Sequence, residues 1–257
     1  MYLCGQFMDY KMIHIEETDS TNRWMKEMKQ GDGSFVTSRD VTKEPSPCYI
    51  VVAEYQTAGK GCGSNSWESE RGKNLTFSML IHPEGLPANE QFHITEVVSV
   101  ALCETLENYI EKKAEIKWPN DIYVDGKKIC GILIENRLQG SAIKDCIIGI
   151  GLNVNQREFL SDAPNPVSLY QLTKQETNRD MLLNRFLEAF ERTLHSKTTC
   201  FDYRERLFRK GKEGLYEDKT GRFTARLMDV LPDGRLLLVD SEDQKRIYAF
   251  KEVQFII

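Results

Sequence analysis

The 257-residue sequence has no apolar run approaching the roughly 20 residues that a membrane helix needs. Its longest apolar stretch, around residues 146–154, is broken by glycine and asparagine. The opening MYLCGQFMDYKM lacks a basic region followed by an apolar core, so no secretory signal is expected. Histidine is scarce, with four in the chain, and no two of the seven cysteines form a C-x-x-C pair. Zinc-type ligand spacing is therefore missing, and no metal-ligating residues are assigned. Cys4, Cys48, Cys62, Cys103, Cys130, Cys146 and Cys200 read as reduced, mostly buried thiols of a cytoplasmic protein. Excess positive charge is also lacking. The net charge is −5, which argues against duplex nucleic acid as the main partner, although one local basic pocket could still hold an anion.

What is present is globular composition, 40% hydrophobic and 28% charged. The length suits one large domain plus one small one. Residues 12–16 alternate as a half-buried strand, and Asp19-Ser20-Thr21-Asn22 offers helix caps before Trp24, Met25 and Met28 at helical spacing. Gly31 is the expected helix stop, and residues 31–48 read as a surface loop. Strands are expected at 49–55, 75–81, 115–118, 122–124, 127–135 and 146–154, and helices at 89–113, 180–195 and 201–208. Beyond Gly211 short strands at 223–230, 235–240 and 245–250 follow one another through turns, as in a small β-barrel. The division expected is 1–213 and 214–257. Hairpin strands with helices packed on one side make the large domain α+β rather than Rossmann-like.

Five segments could carry chemistry. The loop Gln56 to Trp67 holds three glycines within five residues, whose N–H groups can cradle an anion beside Lys60. It lacks P-loop spacing, and by itself it is equally a hairpin connection. Lys117-Trp118-Pro119-Asn120-Asp121 is a turn that brings an ammonium, an amide and a carboxylate to one sheet edge. Lys127 and Lys128 open an apolar strand in which Gly131 removes a side chain. Gly149-Ile150-Gly151-Leu152-Asn153 alternates small with large, leaving one strand face open either to a packed helix or to a ligand. Asp19 to Asn22 is a helix cap whose hydroxyls and amide could also read a ureido or carbonyl group.

Taken together and in order, DSTN (19–22), QTAGKG (56–61), KWPND (117–121), KKICGILIE (127–135) and GIGLNVN (149–155) resemble the biotin protein ligases. The resemblance spans residues 19–155, and the terminal β module also fits. It implies an α+β catalytic domain like a class II aminoacyl-tRNA synthetase core, with a mixed or antiparallel sheet, and a C-terminal SH3-like barrel. It implies ATP, biotin and Mg²⁺ as reactants, biotinyl-adenylate as intermediate, and a lysine of a biotin carboxyl carrier protein as acceptor. Lys128 would bridge carboxylate and α-phosphate, with Asp121 and Lys117 as the other catalytic candidates. Ser20, Thr21, Asn22, Gln56, Lys60, Gly61, Cys62, Lys128 and Gly131 would surround biotin. Lys60, Cys62, Trp67, Asn120 and Asn153 would contact the adenylate.

One departure stands out. Cys62 occupies a place where the family usually has arginine, and cysteine supplies no permanent charge. Lys60 or Arg71 is the expected replacement. The first core strand is expected near Met12, leaving no room for an N-terminal DNA-binding domain, so a ligase without DNA-binding function is expected. Two copies could pair through an exposed sheet edge, which the residues do not identify. The alternatives are a lipoate–protein ligase and a non-catalytic biotin- or nucleotide-binding protein.

Overall fold

A computed structural model describes residues 8–30, 47–63, 65–161 and 163–257. Cys4, Gly31 and most of the expected 31–48 loop lie outside the described residues. The larger sheet is built from β1 (Tyr10–Thr18), β2 (Cys48–Gln56), β3 (Leu75–Ile81), β4 (Glu115–Lys117), β5 (Asp121–Val124), β6 (Lys127–Gln139) and β7 (Ala142–Leu152). These seven strands lie in the order β1-β2-β3-β7-β6-β5-β4. β1 and β2 are parallel, joined through helix α1 (Thr21–Gln30), and every other pair is antiparallel. The sheet is thus mixed, as expected.

Helices α2 (Phe92–Leu106), α3 (Leu169–Thr173), α4 (Arg179–Leu194) and α5 (Thr199–Glu205) follow in chain order. α2 is shorter than the expected 89–113 because the apolar periodicity outlasts the helix. Ala88–Glu90 is a separate 3₁₀ turn, and Ile110 and Ala114 stay buried in the turns that lead to β4. α3 was not anticipated, although Ser168 and Gln171 form the capping box that starts it.

The helices do not all pack on one side. Alternate residues of β2, β3 and β7 point to opposite faces. Ile50, Val52, Phe77, Met79, Ile148 and Ile150 join the main core with α2 and α4, whereas Val51, Leu80 and Ile147 meet Met25 of α1 in a small second cluster. Both faces of these strands are apolar, so both are covered. Further along the α1 face the residues become small: Ser78 on β3, Gly149 and Gly151 on β7, and Gly131 on β6.

The second sheet comprises β8 (Glu213–Asp218), β9 (Gly221–Val230), β10 (Leu236–Asp240), β11 (Lys245–Tyr248) and β12 (Val253–Ile256). Its order is β11-β10-β9-β8-β12, antiparallel throughout. β8 and β12 are short and half-buried, and the sequence reading missed both. The two sheets meet where Trp118 Nε1 donates to the Gly234 carbonyl at 2.9 Å. Phe92 packs so closely on Gly234 that a Cβ there would sit 2.4 Å from its ring. No helix among the described residues is long and apolar enough to cross a membrane.

Candidate active site

A cavity of about 690 Å³ opens between the glycine-bearing face of the large sheet and the second sheet. Of the residues singled out in the sequence, Ser20, Thr21, Asn22, Gln56, Lys60, Gly61, Cys62, Trp67, Lys117, Asn120, Asp121, Lys128 and Gly131 all line it. Asn153 does not. It is buried beyond the end of β7, where its amide donates to the Val167 carbonyl at 3.1 Å and its Oδ1 has no partner.

One end of the cavity is neutral and tightly hydrogen-bonded. The Thr21 N–H and hydroxyl both donate to Gln56 Oε1, at 2.8 and 3.1 Å. Gln56, on β2, thereby satisfies part of the α1 N-terminus. Ser78 Oγ lies 2.7 Å from Thr21 Oγ1 and 2.6 Å from Asn22 Oδ1. The Asn22 amide nitrogen donates to Glu135 Oε2 at 2.9 Å and to the Leu133 carbonyl at 3.3 Å. Ser78 and Glu135 were not read as site residues. Thr76 and Ser78 at period two on an otherwise apolar strand were the available signal for Ser78.

The floor is glycine. A Cβ on Gly149 would lie 2.2 Å from Asn22 Oδ1, and one on Gly151 would lie 2.4 Å from the Trp67 ring. At Gly131 the same ring would be 3.0 Å away. The packing reading of the open strand holds at Gly149, which lets α1 approach, while Gly131 and Gly151 lie beneath the indole. Trp67 Nε1 is buried without a hydrogen-bond partner. The loop carrying it is narrow, with Trp67 N–H donating to Gly59 at 2.8 Å and Gly61 N–H to Asn65 at 2.8 Å. A side chain on Gly59 would stand 2.6 Å from the Trp67 carbonyl.

The other end is charged. β6 carries a register irregularity opposite Ile122 and Tyr123, with Ile122 paired to Cys130 and Tyr123 to Lys128. The extra residue shifts the alternation, so Ile129 and Cys130 are both buried and Lys128 joins Gly131 on the cavity side. Lys128 Nζ pairs with Asp121 Oδ1 at 2.7 Å and lies 5.7 Å from the Trp67 ring centre. Asn120 donates to the Ile132 carbonyl at 2.9 Å, fixing the turn before Asp121. Lys117 reaches between the Tyr123 and Phe255 rings, at 5.6 and 5.2 Å from their centres. Burial lowers its pKa; Asp121 opposes that shift, while Lys128 and Arg209 add to it. The arrangement favours an anion that would lie among these ammonium groups.

Phe250, Lys251, Val253, Gln254 and Phe255 complete the wall from the second sheet. No short-range pattern marks them, because they reach the site only through the docking of one sheet on the other. Arg71 does not line the cavity: it pairs with Glu17 and stacks 4.7 Å from the Tyr55 ring. Among the described residues no three His, Cys, Asp or Glu side chains cluster as a metal site.

Three comparisons bear on this geometry. The sequence model of the Biotin/lipoate A/B protein ligase family matches residues 17–153. The bifunctional ligase/repressor BirA of Bacillus subtilis is 31% identical over 211 residues, covering 78% of this chain and 64% of that protein. The biotin–[acetyl-CoA-carboxylase] ligase of Mycobacterium tuberculosis is 26% identical, over 74% of this chain and 72% of its own. In structure, biotin protein ligase from Aquifex aeolicus in complex with biotin and ATP superposes with a TM-score of 0.73 at 26% identity, covering 95% of this chain and 98% of that one. The chain thus spans less than two-thirds of the Bacillus relative, 64%, and nearly the whole of the Aquifex one.

Proposed function

Since the chain belongs to the biotin/lipoate A/B protein ligase family, we propose that it is an ATP-dependent ligase that adenylates biotin and transfers it to a lysine of a biotin carboxyl carrier protein. The observation that carries this reading is the pairing of Lys128 with Asp121, 2.7 Å apart, in one cavity with Thr21, Asn22 and Gln56, which the buried Ser78 supports from behind. The relatives named as biotin ligases support it. The large sheet with its helices would be the catalytic domain, residues 1–213, of class II aminoacyl-tRNA synthetase type. The second sheet, 214–257, would be its SH3-like companion.

In this reading the ureido ring meets the neutral end, where amide and hydroxyl dipoles are already aligned. The carboxylate then points toward Lys128. One carboxylate oxygen attacks the α-phosphorus, the bond to the bridging oxygen breaks, and pyrophosphate leaves. Both reactants are anionic, and Lys128 and Lys60 reduce their repulsion. Mg²⁺ arrives with the triphosphate as part of the substrate. In the second step the acceptor amine attacks the mixed anhydride carbonyl, AMP leaves, and the amine proton is lost. Asp121 is the carboxylate placed to orient that amine.

ATP-dependent transfer of biotin to a purified carrier domain tests the proposal, with Lys128→Ala alongside. Transfer by the wild type and its loss in the variant are expected. A folded wild type that transfers nothing contradicts the reading. Lipoate offered in competition separates the two halves of the family: the polar network at the α1 end favours the ureido acid, so excess lipoate should leave biotin transfer unchanged.

A further inference from the structure

Four lysines line the cavity, and they differ in what surrounds them. Lys128 is paired with Asp121, and burial lowers the pKa of Lys117. Lys60 lies on the glycine loop itself. The fourth, Lys251, comes from the turn between β11 and β12 in the second sheet, with no carboxylate partner among the described residues.

That turn is built to hold the lysine over the loop. Ala249 N–H donates to Glu252 Oε2 at 2.7 Å, and Glu252 N–H donates back to the Ala249 carbonyl at 3.1 Å. Lys251 takes a φ of 71°, a left-handed backbone uncommon outside glycine and asparagine. Neighbouring Phe250 meets the Trp118 ring edge-on at 6.2 Å, which ties the turn to the segment carrying Asn120 and Asp121. The ammonium arrives beside Gly63, where a Cβ would lie 3.2 Å from Lys251 Nζ. Gly63 is itself left-handed, with a φ of 72°, so its backbone conformation and the space the lysine fills both favour glycine. Next to it, Cys62 contributes no fixed charge.

We infer that Lys251 is a further binding residue for the phosphate chain of the nucleotide, supplying from the second sheet the cation that Cys62 cannot supply from the loop. The inference rests on the adenylating reading above. It makes the second sheet a chemical part of the site, since an anion bound between Lys60 and Lys251 would bridge loop and sheet.

The test is calorimetric titration of Mg·ATP into the intact chain, with Lys251→Asn and Lys251→Arg as variants. Asparagine removes the charge but tolerates the left-handed turn, and arginine keeps the charge. About tenfold weaker nucleotide binding is expected in Lys251→Asn, as for loss of one hydrogen bond to a charged group. Near wild-type binding is expected in Lys251→Arg, with biotin affinity and melting temperature unchanged in both. Nucleotide affinity that is the same in Lys251→Asn as in the wild type overturns the inference, whatever the transfer assay shows. Wild-type nucleotide binding without biotin transfer would count against the proposed reaction and leave this binding comparison intact.

Discussion

At the α1 end of the cavity, Thr21, Asn22, Gln56 and Ser78 satisfy one another through contacts of 2.6 to 3.1 Å. Toward β4 lie Lys117 and the Lys128–Asp121 pair, and Asp121 is the one carboxylate against four lysines among the described lining residues. The first region is electrically complete and needs a ligand only to share its dipoles. The second carries more positive than negative side chains, and there burial, with a smaller contribution from Lys128, lowers the pKa of Lys117. A neutral polar ring suits the former, and a phosphate chain suits the latter. Between them the Trp67 ring lies over Gly131 and Gly151.

The largest expected effect breaks the charged end. Lys128→Ala should lower the rate of adenylate formation by about 10²–10³, as for loss of one preorganised electrostatic donor, with a much smaller loss of biotin affinity from the missing carboxylate contact. A single-turnover measurement reads it, and an equal loss of biotin binding would erase the distinction between the ends. Next, Gly149→Ala should disturb the neutral end, because the new methyl would collide with Asn22 Oδ1 at 2.2 Å. The cost should be about 1–3 kcal/mol in stability, read by denaturant titration, with weaker biotin binding and unaltered nucleotide affinity.

A smaller effect is expected from Ser78→Ala, which removes one hydroxyl from that network. A loss of about 1 kcal/mol in biotin binding, roughly fivefold, should appear by calorimetry. The smallest effect is a pH dependence. Folding lowers the Lys117 pKa below its ordinary 10.5, so between the folded value and 10.5 the unfolded chain binds the extra proton. Stability of the ligand-free protein should therefore rise with pH through that window, with the penalty fully present below it. Lys117→Met should flatten this part of the profile. An unchanged slope would mean that burial does not strain this lysine.

Much of this site was legible because its chemistry sits in short, ordered segments. DSTN, KWPND, the Lys128–Gly131 strand and the Gly149–Gly151 pair each contribute residues to the lining of one cavity. Three things were not legible, for different reasons. The face chosen by Lys128 depends on a strand irregularity that alternation alone does not announce. The neutralisation of Arg71 by Glu17 depends on β1 lying beside β2, a pairing between distant residues. The contribution of Lys251 and Phe255 depends on how two sheets dock, for which Trp118, Phe92 and Gly234 carry the contacts. Asn153, expected to contact the adenylate, is buried behind Lys128, where its backbone N–H donates to the Ile129 carbonyl at 2.9 Å and its Oδ1 has no partner. The missed α3 was a lapse of another kind, since its Ser168–Gln171 cap was present in the sequence.

The most direct measurement is the exchange of labelled pyrophosphate into ATP by the intact chain, with and without biotin. If the neutral end positions one acid and the cationic end joins it to the other, exchange appears only when biotin is present and falls with Lys128→Ala. Exchange that ignores biotin, or a folded protein that binds both ligands and exchanges nothing, would contradict it.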